Sequence, residues 1–253
     1  MAKKAQHINR FDGGLNDSSS RNKIENNQLP FVDNVQFDKR SWQQRNKIKS
    51  FDKFQYLTVP VKSKGLFDQH IREVAQGYAD KGYAALAPAI FDRVERKIEF
   101  GYEDQSEFDR GLDIAFSKLS IGDALVDIQT TVDALAKFGN VGVVGYCFGG
   151  LLTWLSACSV SGLSAASCYY GGGISDNLDQ ENKCPTIMHF GLKDPYIPVE
   201  QIEKIKAKLS HLDIYTYDSD HGFNCNHRGS YDENSADLAL SRTLTFFADK
   251  LGS

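Results

Sequence analysis

A cysteine lies at the centre of the segment with the clearest chemical potential. Residues 145–150 read GYCFGG and follow the apolar run 141–146, so Cys147 is predicted at a tight strand-to-helix turn. Glycine, nucleophile and glycine at this spacing form a nucleophile elbow, with cysteine in place of serine. The helix N-terminus favours the thiolate, and the backbone N–H of Phe148 is placed to stabilise an oxyanion. The alternative is a buried cysteine in a tight turn.

Two residues of matching chemistry follow later predicted strands. Asp194 comes just after an apolar strand at 186–190, and His221 follows a strand at 212–217. A thiol nucleophile needs a base, and the base needs a group that orients it. The order cysteine, aspartate, histidine therefore predicts a triad of Cys147, His221 and Asp194. Taken singly, Asp194 could be a turn residue and His221 a loop histidine.

The other histidines and the cysteines give no metal-binding pattern. His189 lies inside an apolar strand and is predicted in the core, whereas His70 and His211 are predicted at solvated helix edges. His227 is close to His221, but no carboxylate follows it at ligand spacing. The five cysteines are irregularly spaced and form no CxxC pair. We therefore expect no metal site, and reduced thiols in a cytoplasmic protein.

Alternating strands and helices must position these groups. Helical periodicity and apolar runs predict helices at 69–81, 109–119, 122–138, 149–159, 199–209 and 235–251, and strands at 83–90, 141–146, 164–170, 186–190 and 212–217. This alternation is typical of an α/β fold whose mostly parallel sheet has helices on both faces. The carboxyl ends of parallel strands lie at one edge of the sheet, which would bring the predicted triad together.

The overall composition argues against several classes of partner. Of 253 residues, 41% are hydrophobic, and the net charge is −4 with a pI near 5.9. This balance gives no electrostatic reason to expect nucleic acid or an anionic membrane. No apolar run approaches the 18 residues or so of a spanning helix, and the first residues lack the apolar core of a secretory signal. Nothing in the sequence demands more than a monomer.

The first fifty residues differ from the rest. They carry ten Lys and Arg against five Asp and Glu, and seven Asn, with few aliphatic residues. Such a stretch is typical of loops and short extended pieces. We predict an atypical, partly irregular extension at 1–56 and an α/β domain at 57–253. The extension is either a weakly folded arm or a small binding module.

Residues 69–251 resemble the dienelactone hydrolase family of the α/β-hydrolase fold. The matching stretches are QHIREVA, GYAALAPAIFDR, VGVVGYCFGG, YYGGGI, HFGLKDPYIP and HGFNC. The resemblance implies a cofactor-free, monomeric carboxylic ester hydrolase. Its substrate would be an enol-lactone such as 4-carboxymethylenebut-2-en-4-olide, opened to maleylacetate. The family's nucleophile, histidine and acid correspond to Cys147, His221 and Asp194, which would act through an acyl-enzyme.

The resemblance also implies substrate contacts. Arg93 matches the family's first arginine, which grips the substrate carboxylate, although a surface arginine is the alternative. Cys225 stands where the best-known members have a second arginine, and Arg228 is nearby but not equivalent. Tyr102 and Phe223 are predicted as pocket walls, with a place in the core as the alternative. A pocket with one arginine would favour a different ester or lactone.

The sequence departs from the family before the first helix. Ser63 stands in place of the family's glutamate, and Lys64 would have to supply the second oxyanion N–H from its backbone. The corresponding strand, 57–61, contains Pro60, which cannot donate to a ladder. The N-terminal strands are therefore expected to be atypical or missing. Whether residues 51–62 rebuild the central strand is left open.

Residues 1 to about 64 are weakly similar to the N-terminus of some tailed-phage virion structural proteins. The similar stretch reads INRFDGGLNDSSS and continues to DNVQFDKRSWQQRNKIK. This similarity implies a fused or recombined chain. Two alternatives to a working hydrolase follow from it. One is a catalytically impaired relative, and the other is a binding or assembly role carried by residues 1–56.

Overall fold

Six parallel strands form one sheet in the part of the chain that the structure describes. The computed structural model describes residues 55–57, 69–96, 98, 100 and 104–252. The strands are β1 Gln55–Leu57, β2 Tyr83–Ala85, β3 Val141–Tyr146, β4 Leu163–Tyr169, β5 Thr186–Gly191 and β6 Asp213–Tyr217. Their order across the sheet is β2-β1-β3-β4-β5-β6, with every neighbouring pair parallel.

Helices connect these strands. They are α1 Gln69–Asp80, α2 Gln105–Asp113, α3 Ile121–Ala136, α4 Phe148–Ser159, α5 Val199–Lys208 and α6 Glu233–Leu251. Short 3-10 helices lie at Ile90–Arg93 and Ile174–Asp176, and a π-helix at Ile114–Lys118 follows α2 directly. Among the described residues, no helix combines the length and the apolar composition needed to cross a bilayer.

Helices cover both faces of the sheet. Ala165 and Ala166 are consecutive on β4, so their side chains point to opposite faces. Ala165 packs with Phe247 and Leu251 of α6, whereas Ala166 packs with Ala157 of α4. Both alanines are fully buried. The predicted α/β fold, with a mostly parallel sheet between helical layers, is confirmed.

Two predicted elements differ from the observed ones. The strand predicted at 83–90 ends at Ala85, and a proline at position 88 precedes the 3-10 helix. The helix predicted at 109–119 begins at Gln105 because the Asp104 carboxylate accepts the backbone N–H of Ser106 at 2.7 Å and caps it. Hydrophobic periodicity does not reveal such a cap, since its residues are polar.

Strand β1 lies between β2 and β3 in the sheet. It pairs with Tyr83–Ala85 on one side and with Val141 and Gly142 on the other. The strand that the sequence left open is therefore built by Gln55–Leu57, upstream of Pro60, and the buried edges of β2 and β3 gain a partner. The predicted boundary between 56 and 57 falls inside this strand. The remainder of the predicted extension, 1–54, lies outside the described residues.

Candidate active site

Cys147 occupies a strained backbone conformation between β3 and α4. Its φ is +55° and its ψ is −118°, a region that a residue with a side chain rarely adopts. Its N–H donates to the carbonyl oxygen of Tyr169 at 3.0 Å, and its own carbonyl accepts the N–H of Gly150 at 2.9 Å. These bonds hold the turn, so the thiol is fixed at the carboxyl edge of the sheet and at the N-terminus of α4.

The glycines that the elbow requires are not the two that flank the nucleophile symmetrically. A Cβ at Gly145 would lie 2.1 Å from the carbonyl oxygen of Gly149. A Cβ at Gly150 would lie 2.4 Å from the carbonyl oxygen of Tyr169, on the neighbouring strand. A Cβ at Gly149 would meet open space. Close backbone packing therefore requires glycine at 145 and 150, while position 149 tolerates a side chain.

The loops after β5 and β6 bring the predicted acid and base together. His221 Nδ1 lies 2.7 Å from Asp194 Oδ2, and both residues are buried. The second carboxylate oxygen of Asp194 accepts the backbone N–H groups of Tyr196 at 2.8 Å and Ile197 at 3.1 Å. The Cys147 thiol lies near the His221 ring, since the two groups perturb each other's ionisation. A hydrogen bond therefore joins the predicted acid and base, and the predicted nucleophile lies near the base.

The electrostatic surroundings of Cys147 and His221 favour a thiolate and an imidazolium. Burial disfavours the charged histidine, but its bonds to Asp194 and Cys147 outweigh that effect and raise the pKa of His221 to about 9. Burial likewise raises the pKa of the Cys147 thiol. The hydrogen bond and charge of His221, the N–H of Phe148 and the charge of Arg228 outweigh it, so the net pKa lies below its ordinary value.

The backbone N–H of Phe148 is one predicted oxyanion donor. It lowers the pKa of the Cys147 thiol, so it lies near the sulfur atom that would attack a carbonyl. The Phe148 ring packs edge-on against Phe116 of the π-helix, with centroids 5.1 Å apart. The second predicted donor, the backbone of Lys64, lies outside the described residues, as does Ser63.

Arg228 is the site residue that the sequence reasoning set aside. It lies seven residues after His221, in the loop that follows β6. Its guanidinium carbon is 5.1 Å from the centroid of the Phe108 ring, and a Cβ at Gly222 would lie 2.6 Å from its Nη1. Its positive charge lowers the pKa of Cys147. The sequence feature that indicates Arg228 is a basic residue in the loop that follows His221. The family's second arginine lies four residues after the histidine, a position that Cys225 occupies in this chain.

The side chain of Arg93 is paired with a carboxylate of this protein. Its Nε and Nη2 bind the two carboxylate oxygens of Asp127 on α3 at 2.9 and 2.7 Å, and Asp123 lies 3.8 Å from its Nη1. This is the two-pronged geometry that the sequence assigned to a substrate carboxylate. The structure therefore places Arg93 in an intramolecular ion pair, and its carboxylate-binding role stays a prediction.

Phe223 and Tyr102 are the two residues predicted to form pocket walls, and the structure describes only Phe223. Phe223 is completely buried among aromatic rings, with centroids 5.3 Å from Tyr170 and 5.0 Å from Tyr217. It takes the core position that the sequence analysis gave as the alternative, because the loop after His221 folds inward at Phe223. Tyr102 lies outside the described residues.

An apolar cavity of about 360 Å³ extends from the nucleophile. Cys147 and Phe148 belong to its lining, and most of the other described lining residues are aliphatic or aromatic. Its described walls come from α1, the segment after β2, α2 and the π-helix, α3, β3 and the start of α4. They include Ile90, Phe91, Phe100, Phe108, Phe116 and Leu152. Neither Arg93 nor Phe223 belongs to this lining.

The remaining histidines follow the sequence predictions with one exception. His189 is fully buried, and burial lowers its pKa to about 3. His211 is exposed. His70, predicted to be solvated, is only 4% exposed and lies 3.2 Å from Asn226 Oδ1, because the loop after His221 covers α1. In the described part of the chain, no group of three His, Cys, Asp or Glu residues could hold a metal ion.

Comparisons with known proteins place this chain in a family. The family model for dienelactone hydrolases matches residues 61–251. A Synechocystis protein, named as a candidate carboxymethylenebutenolidase, is 31% identical over 205 residues, which cover 73% of this chain and 82% of that protein. The carboxymethylenebutenolidase of Pseudomonas putida is 28% identical over 187 residues, or 70% of this chain and 79% of that enzyme.

Solved structures agree on the fold. The crystal structure of a candidate dienelactone hydrolase from Klebsiella pneumoniae is 26% identical, with a TM-score of 0.62 over 79% of this chain and 89% of that chain. An α/β hydrolase from a deep-sea metagenome library, 13% identical, shares the fold with a TM-score of 0.52 over 81% and 88%. These similarities confirm the predicted α/β-hydrolase fold. With a family match that spans most of its length, the chain belongs to the dienelactone hydrolase family.

Proposed function

We propose that this member of the dienelactone hydrolase family hydrolyses carboxylic esters and lactones through a cysteine acyl-enzyme. The observation that carries the proposal is the buried hydrogen-bonded pair of His221 and Asp194, which lies near Cys147 and lowers the pKa of its thiol. A thiolate beside an imidazolium is the activated form of a cysteine nucleophile. The relatives named carboxymethylenebutenolidase favour ring opening of a dienelactone to maleylacetate as one reaction of this site.

In the first half-reaction, the Cys147 thiolate attacks the carbonyl carbon, and the carbonyl π electrons move onto oxygen. The N–H of Phe148 donates to the oxyanion of the tetrahedral intermediate. When the intermediate collapses, the ester C–O bond breaks and the His221 imidazolium gives its proton to the leaving oxygen. The products are an alcohol and a thioester on Cys147. In a lactone, the released hydroxyl stays attached to the acyl group.

In the second half-reaction, neutral His221 takes a proton from water, which attacks the thioester carbon. The new intermediate expels the Cys147 thiolate, and the free carboxylic acid leaves. Asp194 keeps the imidazole oriented throughout and stabilises its charged form, because its carboxylate is fixed by two backbone N–H groups. The site returns to thiolate and imidazolium, so turnover needs no cofactor.

Turnover by the full chain and two cysteine variants tests this proposal. The substrates are the dienelactone and p-nitrophenyl acetate, and circular dichroism verifies that each protein is folded. Cys147→Ala is expected to abolish turnover, and quenched reactions of the parent chain should carry the acyl mass on Cys147. Cys158→Ala, which removes a buried thiol of α4 away from the site, should retain activity. Equal turnover by the parent and Cys147→Ala would contradict the proposal.

A further inference from the structure

The proposed base, His221, has two aromatic neighbours that differ in exposure. The centroid of its ring lies 5.1 Å from the centroid of Tyr170 and 5.1 Å from that of Tyr196. Tyr170 is only 2% exposed, whereas Tyr196 is 65% exposed, the largest value for any large hydrophobic side chain in the described part of the chain. Of these two rings, Tyr196 is therefore the one that a ligand can contact.

The backbone that carries the Tyr196 ring is firmly held. The N–H of Tyr196 donates to Asp194 Oδ1 at 2.8 Å, and the N–H of Ile197 donates to the same oxygen at 3.1 Å. Ile197 is 2% exposed and packs in the main hydrophobic core. Pro195 and Pro198 restrict the backbone on either side. A side chain on such a backbone loses little conformational freedom when a ligand covers it.

The proposed reaction brings the leaving half of the substrate to this ring. His221 gives its proton to the leaving oxygen, so that oxygen must come within about 3 Å of the imidazole. The group attached to the oxygen begins one bond further out. Because the Tyr196 ring makes an edge contact with the imidazole, at 76° between the planes, it lies close enough to touch that group. Tyr196 does not line the apolar cavity beside Cys147, so the ring and the cavity are separate parts of the site.

An aromatic ring in this position favours flat partners. Paired π systems stack or meet edge to face and gain more than the burial of their apolar area, whereas a saturated group gains the area alone. We infer that Tyr196, granted the proposed hydrolase function, is a specificity-determining residue that contacts the leaving half of the substrate. It selects planar, unsaturated leaving groups such as phenols and enols over saturated alcohols. The enol oxygen of a dienelactone belongs to the selected class.

Two acetate esters separate contact with the leaving group from support of the base. Naphthyl acetate and trifluoroethyl acetate give the same acetyl-enzyme and differ in the leaving group, which is planar in the first and saturated in the second. Tyr196→Ala should lower kcat/KM by about threefold to tenfold for the naphthyl ester and by less than about twofold for the trifluoroethyl ester, measured by acid release at constant pH. An equal loss for both would mean that the ring only positions His221, which would overturn the inference and leave the proposed function intact.

Further variants show whether the aromatic face is the feature that matters. Tyr196→Phe keeps the ring, so the ratio of the two kcat/KM values should stay within about twofold of the parent ratio. Tyr196→Leu is apolar but not planar, and most of the preference should disappear. Phe138→Ala is the matched control, since Phe138 is 41% exposed and precedes β3, at the sheet edge opposite Cys147. A ratio that falls as far in Tyr196→Phe or Phe138→Ala as in Tyr196→Ala would count against the assignment.

Binding of a released leaving group provides a test without turnover. Naphthol, the alcohol product of the naphthyl ester, can be titrated into the full chain by calorimetry. Tyr196→Ala should weaken its binding by about threefold to tenfold, and Phe138→Ala should not change it. No saturable binding by the parent, or equal affinities of the parent and Tyr196→Ala, would contradict the inference. Because this measurement requires no hydrolysis, it separates a failure of the inference from a failure of the proposed function.

Discussion

Asp194 and His221 are joined in a way that uses the whole carboxylate. Oδ2 of Asp194 accepts from Nδ1 of His221 at 2.7 Å, while Oδ1 accepts two backbone N–H groups from the turn that follows. The Asp194 side chain is completely buried, and that of His221 is 7% exposed. The carboxylate therefore cannot rotate away from the imidazole without losing backbone hydrogen bonds. The pKa of about 9 for His221 depends on this rigid partner.

Asp194→Asn should uncouple the base while it keeps the shape of the loop. The amide oxygen can still accept the N–H groups of Tyr196 and Ile197, but the negative charge beside His221 disappears. The pKa of His221 should fall and that of Cys147 rise, because the imidazolium loses a stabilising charge. We expect kcat/KM for p-nitrophenyl hexanoate to fall by roughly 10²–10⁴-fold, with an unchanged circular dichroism spectrum.

Asp220→Asn is the control for Asp194→Asn. Asp220 precedes the same histidine and accepts its backbone N–H at 2.6 Å, but not its ring. Its replacement should change kcat/KM by no more than about threefold, because an amide oxygen preserves that hydrogen bond. A comparable loss in both variants would indicate general disturbance of the loop and contradict a specific role for the ring contact.

Arg228→Gln should make the Cys147 thiol harder to ionise. In the parent chain, the thiol pKa lies below its ordinary 9.0, so alkylation by iodoacetamide should be half-maximal below pH 9 and should slow as the pH falls through that pKa. Without the positive charge of Arg228 the midpoint should move to higher pH. At pH 6.5, alkylation should be roughly twofold to tenfold slower, measured by mass spectrometry of the Cys147 peptide.

The control for Arg228 is another arginine of similar surroundings. Arg110 also lies over an aromatic ring, with its guanidinium 5.6 Å from the Phe100 centroid, and it pairs with Glu95. It does not contribute to the pKa of Cys147, so Arg110→Gln should leave the alkylation midpoint in place. An identical midpoint in Arg228→Gln would show that the charge of Arg228 does not reach the thiol.

The part of the site that the sequence predicted depends on local pattern, and the part that it missed depends on distant contacts. Cys147, Asp194 and His221 each follow an apolar strand, and parallel topology alone brings such positions to one edge. No local pattern indicates that Arg93 pairs with Asp127, thirty-four residues away. The burial of Phe223 and the burial of His70 both depend on how the loop after His221 packs. No local pattern indicates that packing either.

Gly150→Ala should destabilise the fold, whereas Gly149→Ala should not. The added methyl at 150 would lie 2.4 Å from the carbonyl oxygen of Tyr169, which β4 cannot easily move. We expect Gly150→Ala to lower the free energy of unfolding by about 1–3 kcal/mol or more. At 149 the methyl meets open space within α4, so Gly149→Ala should be neutral or stabilise by up to about 1 kcal/mol. Urea denaturation of both variants measures the difference, and equal losses would contradict the packing argument.

A buried polar network fixes helix α6 to the sheet. The Thr243 hydroxyl lies 2.7 Å from the Tyr169 hydroxyl, 3.1 Å from His189 Nε2 and 3.1 Å from the Ser167 hydroxyl. His189 also contacts the Tyr217 hydroxyl through Nδ1 at 2.8 Å. Three strands and one helix therefore share a single set of hydrogen bonds. Since Tyr169 also accepts the N–H of Cys147 through its carbonyl, the network supports the strand behind the nucleophile.

Thr243→Val should expose the cost of breaking this network. Valine matches the shape of threonine but removes the hydroxyl, so Ser167, Tyr169 and His189 each lose a partner in a fully buried position. We expect the free energy of unfolding to fall by about 1–3 kcal/mol, measured by urea denaturation. Thr245→Val is the matched control, because Thr245 is exposed on α6 and its hydroxyl donates to the Ser241 carbonyl oxygen at 2.9 Å. That change should stay within about 0.5 kcal/mol of the parent. Equal effects of the two substitutions would mean that the buried hydroxyl contributes no more to stability than an exposed one.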